Sequence, residues 1–121
     1  MDIVRLTVPG SPEYLRLARL ATADVAARAG FDYEQVEDLR TAVDELAFAL
    51  LRSEPSTLTL ELELQDLELE IRGQTAPNGV DEAPGLSSLA QAIVGAVLDH
   101  SELGARDGVG YFVLRKKLRM R

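Results

Sequence analysis

Apolar residues along this chain fall on two spacings, and the change from one to the other marks out its elements. Ile3 to Val8 is a short β-prone run closed by Pro9-Gly10. Ser11-Pro12-Glu13 reads as a helix start, with Ser as N-cap, Pro at the first helical position and an acid in the first turn. That helix is expected to run to Gly30, a residue suited to a left-handed cap. A second start follows at once. Asp32 and Gln35 have capping-box spacing, and Phe31 can staple onto Val36. Val36, Leu39, Val43, Leu46, Ala47 and Leu50 then form one stripe at helical spacing that ends before Pro55.

The period next drops to two. Leu58, Leu60, Leu62 and Leu64 alternate with Thr57, Thr59, Glu61 and Glu63. After Gln65-Asp66, Leu67, Leu69 and Ile71 alternate with Glu68, Glu70 and Arg72, which predicts a hairpin with one apolar and one wet face. A sheet wetted on one side takes helices on the other, so two layers are expected. Gln74 to Gly85 is polar and rich in Gly and Pro, hence a loop. Leu86 to His100 reads as a third helix, and Glu102–Arg106 and Val109–Met120 flank the hairpin signal Asp107-Gly108. The expected order is β-α-α-β-β-α-β-β, one domain over residues 1–121.

Composition narrows the function classes. With 46% of the chain apolar, only 5% aromatic and no Trp, the core must be aliphatic. The absence of Cys excludes disulfides, thiolate metal sites and cysteine nucleophiles, and fits a reducing cytoplasm. No apolar run is long enough to cross a bilayer and the N-terminus lacks a signal-peptide pattern, so no membrane partner is expected. A net charge of −7 argues against nucleic acid. Five of the thirteen basic residues lie in Leu114–Arg121. A phosphate-binding tail is one reading. The preferred one places Tyr111, Val113, Arg115, Lys117 and Arg119 on one side of the last strand, paired across to Glu68 and Glu70.

Several segments in order carry a resemblance. They are Val8-Pro9-Gly10-Ser11-Pro12-Glu13-Tyr14-Leu15, Ala18-Arg19-Leu20, Ala26-Ala27-Arg28-Ala29-Gly30-Phe31 and Val36-Glu37-Asp38-Leu39-Arg40-Thr41-Ala42-Val43-Asp44-Glu45. These closely resemble anti-sigma-factor serine kinases of the RsbW type, in the GHKL ATPase superfamily. The match is dense over the first fifty or so residues. It weakens through the hairpin and returns in spacing at Val97-Leu98-Asp99 and Gly108–Val113. The fold the resemblance implies is α+β: a two-layer sandwich of the histidine kinase-like ATPase (Bergerat) type. Its sheet would be mixed and mostly antiparallel, with helices on one face. The function it implies is phosphate transfer from ATP to a serine of an antagonist protein, alternating with capture of a sigma factor.

Three motifs carry the nucleotide in such proteins, and each is altered here. In the first, a Glu assists the acceptor and an Asn one turn later binds Mg²⁺. Glu45 is present, but Ala49 stands at the Asn position, and a methyl group cannot coordinate a cation that demands oxygen. In the second, an Asp reads the adenine and a nearby Gly lets the base approach. Gly73 falls at the Asp and Thr75 at the Gly, and a shift by one residue offers only Arg72 or Gln74. In the third, a glycine-rich lid holds the phosphates at a helix N-terminus. Leu86, Ser87 and Ser88 stand there instead, after a loop too short for such a lid.

The expectation is therefore a non-catalytic regulator with a vestigial nucleotide pocket (Glu45, Ala49, Gly73, Thr75, Ser88), no metal and no cofactor. It would bind a sigma factor or an anti-anti-sigma antagonist of the STAS type, as a homodimer, in the cytoplasm. Partner contact is expected on the first helix through Arg19, Arg16 and Glu13, and on the first strand. The alternative is an active kinase using ATP and Mg²⁺ in an unorthodox pocket, with Glu45 catalytic and Gln74 or Asp81 standing in for lost ligands. A third reading has the emptied pocket taking another small molecule.

Individual residues keep two readings each. Glu45 is a retained base or a half-exposed helix acid. Arg19 is a docking residue or a solvated Arg packing its stem. His100 reads as a helix C-terminal residue facing the dipole and not as a catalytic group. Asp81-Glu82 reads as solvated charge and not as a metal site.

Overall fold

The computed structural model describes residues 3–77 and 83–119. Its elements are β1 (Ile3–Pro9), α1 (Leu15–Ala29), α2 (Tyr33–Leu51), β2 (Thr57–Gln65), β3 (Glu68–Thr75), α3 (Ser88–Val97), β4 (His100–Arg106) and β5 (Val109–Lys117). The strands form one five-stranded sheet in the order β1-β2-β3-β5-β4. Every neighbouring pair is antiparallel, so the mixed pairing the resemblance implied does not occur among the described residues.

Alternation along each strand sends one set of side chains toward the helices. Leu58, Leu60 and Leu62 of β2, Leu69 and Ile71 of β3, and Phe112 and Leu114 of β5 are buried together with Leu39, Val43, Leu46, Ala47 and Leu50 of α2. This is the helical stripe meeting the alternating stripe, an α+β sandwich with its helices on one face. The opposite face of the sheet stays wet. There Arg72 lies among Glu61, Glu63 and Glu70, Arg115 Nε donates to Glu70 Oε1 at 2.8 Å, and Arg5 Nε donates to Glu61 Oε2 at 2.8 Å. Glu70 stands opposite Arg115 and Glu68 opposite Lys117, the cross-strand pairing expected for the basic last strand.

Those pairs shift the carboxylates. The hydrogen bond from Arg5 holds Glu61 below the usual carboxylate range. Burial alone would raise Glu70, but hydrogen bonds from Arg115 and Arg72 outweigh it and hold it below that range as well. A carboxyl whose folded value is depressed adds stability that is complete above its unfolded value and lost as pH falls through the folded one. Stability is therefore expected to hold down to about pH 5 and to decline below the unfolded Glu value of about 4.3. Urea unfolding of Glu70→Gln across the same range should show a shallower acid limb. An identical limb would contradict the assignment.

The helix boundaries follow local chemistry. Gly30 sits at φ 103 with its N–H bonded back to Ala26 and Ala27, as a left-handed cap should. Both bonds of the Asp32–Gln35 capping box are present. The start of the first helix differs from expectation. Residues 12–14 form a 3₁₀ turn, the α-helix proper begins at Leu15, and the Ser11 side chain makes no capping bond. The Ser11 carbonyl instead accepts from Tyr14 N at 3.0 Å, the tighter hydrogen-bond pattern of a 3₁₀ start.

The third helix is shorter than its apolar run implied. It is capped by Ser87, spans Ser88–Val97, and gives way to extended backbone at Leu98. The cause is non-local: Asp99 N donates to Arg115 O at 3.0 Å and Lys117 N donates to Asp99 Oδ2 at 2.7 Å, drawing the chain into the sheet. His100 is therefore the first residue of β4, opposite Arg115 and 3.9 Å from Glu102, and not a helix C-terminal residue.

The hairpin turns also differ in part. Asp107-Gly108 turns as expected, both residues at positive φ. Between β2 and β3 the turn is Asp66-Leu67, at φ 50 and 63, so Leu67 is an exposed turn residue and not part of the apolar alternation. A two-residue hairpin of this type I′ form needs both central residues left-handed, which costs a Leu more than a Gly. Leu67→Gly is expected to raise stability by about 0.5–1 kcal/mol, the relieved strain less the entropy a Gly loses on folding. A denaturation midpoint at or below that of the parent would refute this.

Candidate functional site

The positions assigned to a nucleotide pocket come from three elements: α2, β3 and the start of α3. Glu45 and Ala49 lie one turn apart on α2. Glu45 is half-buried, whereas Ala49 is only 3% exposed and belongs to the packed side of the helix. Its methyl group offers no ligand atom.

On β3 the decisive contact is between strands. Gly73 is opposite Phe112 of β5, whose ring lies over the glycine. A Cβ placed on Gly73 would come within 2.2 Å of Phe112 Cε2 and 2.6 Å of Cζ. Phe112 is itself fully buried. The space a side chain at position 73 would need is thus filled by a fully buried aromatic ring. No carboxylate fits there while that ring is in place.

Thr75, at the end of β3, is 2% exposed. Its Oγ1 accepts from Gly110 N at 3.0 Å, tying β3 to β5 just beyond the last paired residues, Gln74 and Tyr111. Where the resemblance expects a glycine to admit a base, this chain has a side chain stitching two strands. Arg72 points to the wet face among three glutamates and Gln74 is exposed, so strand alternation keeps the one-residue shift from supplying a pocket ligand.

At α3, Ser87 is the capping residue, its Oγ accepting from Ala90 N at 3.1 Å. Ser88 follows as the first helical residue and is exposed. Asp81 and Glu82 lie outside the described residues. Among the described residues, no three His, Cys, Asp or Glu side chains come together as a metal site. At these positions Ala49 and Gly73 bring no side-chain oxygen, and the Thr75 hydroxyl is engaged with Gly110.

The second set of expected residues lies on α1 and the 3₁₀ turn that precedes it. Glu13 and Arg16 are exposed. Arg19 is half-buried, and its guanidinium meets Asp44 Oδ1 of α2 at 2.6 Å, so it locks the two helices together at the rim of the same face. Around these charges Tyr14, Leu17 and Leu20 leave apolar surface in solvent, with Leu20 at 53% exposure. A helix that turns three large apolar side chains outward between charged neighbours has the pattern of a docking face.

Phe112 and Lys116 are site residues the sequence reading did not single out. Both were within reach of it, since alternation from Leu114 places them on the inner face of β5. Lys116 is 7% exposed, donates to the Val97 carbonyl at the end of α3 and lies 3.9 Å from Asp38 of α2. It pins the third helix over the sheet. No helix among the described residues is long and apolar enough to cross a membrane.

Comparison with known proteins agrees with this architecture. The serine-protein kinase RsbW of Listeria innocua is 30% identical over 118 residues, covering 93% of this chain and 73% of that protein. The RsbW proteins of Oceanobacillus iheyensis and Bacillus subtilis are 50% and 43% identical over 44 residues, about a third of this chain in each case. Among solved structures, the RsbU and RsbW domains of Rv1364c from Mycobacterium tuberculosis superpose with a TM-score of 0.76 at 14% identity. That match covers 98% of this chain and 33% of the solved one, and at such identity it shows the fold alone. No family model matches.

Proposed function

The chain belongs to the RsbW serine-protein kinase family, and we propose that this member regulates by protein contact alone, with nucleotide binding and phosphoryl transfer lost. The observation that carries this reading is the Phe112 ring packed into the side-chain space of Gly73. Phosphoryl transfer works chiefly by positioning and by charge neutralisation with a metal. Ala49 removes a metal ligand and the Gly73–Phe112 packing removes the base reader, so neither half of that machinery has its residues. The partner is a sigma factor or an anti-anti-sigma antagonist of the STAS type, docked on the α1 face around Glu13, Arg16, Leu17 and Leu20. The protein acts as a cytoplasmic homodimer, with β1 at a sheet edge available for contact.

Titration calorimetry with Mg-ATP tests this directly. No heat of binding is expected up to about millimolar ligand, and micromolar affinity would overturn the reading. Arg16→Glu with Leu17→Ser should abolish capture of the partner in native cells while leaving the circular dichroism spectrum unchanged.

One observation favours a second reading. Glu45 is retained and half-exposed in a chain whose curated relatives are named serine-protein kinases. Labelled-phosphate transfer to an antagonist by the parent protein, lost in Glu45→Ala, would establish that alternative.

A further inference from the structure

Of the thirteen basic side chains only Lys116 and Lys117 are lysines; the rest are arginines. That bias matters chemically. A guanidinium stays protonated and delocalised near neutral pH, whereas an ε-amine that loses its proton is a nucleophile toward acyl groups. Amine chemistry on the side chains of this protein is therefore confined to two neighbouring positions.

The pleat of β5 separates them, because successive residues of a strand point to opposite faces of the sheet. Lys116 turns toward the helices. Its side chain is 9% exposed, its ammonium donates to the Val97 carbonyl, and Asp38 lies 3.9 Å away. An acyl donor reaches that nitrogen only by displacing the end of α3. Lys117 turns to the wet face and is exposed. It stands opposite Glu68 of β3, yet its ammonium makes no hydrogen bond or ion pair among the described residues. Arg115, two residues earlier on the same face, is by contrast bound to Glu70.

The backbone at Lys117 is as firmly held as its side chain is free. Its N–H donates to Asp99 Oδ2 at 2.7 Å, and its carbonyl accepts from Gln35 Nε2 at 3.3 Å. The amine is thus presented from a fixed point of the fold. Beside it is a recess of about 390 Å³ formed by the Asp66-Leu67 turn, Glu68 and Leu118. Leu67 is exposed there and offers a small acyl group apolar surface to rest on.

We propose that Lys117 is an acylation site, taking a small acyl group from an acyl phosphate. The amine, having given its ammonium proton to solvent, attacks the acyl carbon. An N–C amide bond forms, the bond from the acyl carbon to the phosphate oxygen breaks, and the second amine proton leaves with the phosphate. The product has lost one positive charge, which takes the formal net charge from −7 to −8 and leaves Glu68 facing an amide across the strand pair. The inference is independent of whether nucleotide binding is lost.

Treating the full chain with acetyl phosphate and mapping its peptides by mass spectrometry tests it. In the folded protein Lys117 should be acetylated about tenfold faster than Lys116, whereas in urea the two should react alike. Lys117→Arg should abolish side-chain labelling of the folded chain. Protein isolated from its own cells should carry the acyl group at Lys117 and not at Lys116. Equal labelling of the two lysines in the folded state would overturn the proposal, as would a preference for Lys117 that survives in urea and so owes nothing to the fold. Isolated protein unmodified at Lys117 would overturn it as a site used in the cell.

Discussion

Substituting Asp for Gly73 is expected to bring the fold close to unfolding, with a loss of about 3–5 kcal/mol against a typical total of about 5–15. Two costs combine. A Cβ at this position would overlap the Phe112 ring, and the carboxylate beyond it would lie against the buried Leu60 and Phe112 of the neighbouring strands. Urea unfolding of Gly73→Asp, Phe112→Val and the double variant separates clash from charge. The double variant should be more stable than the sum of the single losses by about 1 kcal/mol or more. Additive losses would mean that the ring is not the obstacle.

Lys116→Ala is expected to cost about 2–3 kcal/mol, and to do so unevenly across the molecule. Truncation leaves the Val97 carbonyl and Asp38 without the ammonium that now joins them. Asp38 retains some solvent contact, which keeps the figure below that for a fully buried pair. Few residues of α3 are buried, Ala90 and Val94 alone within the helix, so this single side chain supplies much of its anchorage. Hydrogen exchange should therefore accelerate in α3 more than in α2 or the central strands. Lys116→Met, which keeps the apolar stem, should lose about half as much. Uniform acceleration over the whole fold would contradict the anchoring role.

Much of the architecture was legible because its signals are local. The Asp32–Gln35 box, the Gly30 cap and the Asp107-Gly108 turn each depend on residues within one turn of one another, and each formed as its sequence implies. Helical and alternating stripes gave the two layers for the same reason. What could not be read is what depends on distant pairing. Residues 92–98 carry no polar side chain, so periodicity carries no mark of where the helix stops, and the stop is set by Arg115 and Lys117 on another strand. Leu67 has strand propensity, but the register of Gln65 with Glu68 forces it into the turn. At the candidate site, sequence showed that Ala49, Gly73 and Thr75 lack the expected ligand atoms. It did not show that Phe112 had moved into the gap or that Thr75 had taken up Gly110, because both contacts join strands far apart in the chain.

The glycine and the ring that covers it also limit which sequences this fold can take. A single substitution would place an acid at position 73. Here that acid collides with Phe112, and shrinking Phe112 first opens a cavity under Gly73 worth about 3–5 kcal/mol. Either change alone therefore costs a large share of a typical total of about 5–15 kcal/mol. The packing works as a lock: with the ring settled over Gly73, any side chain at that position carries a cost set by the core itself.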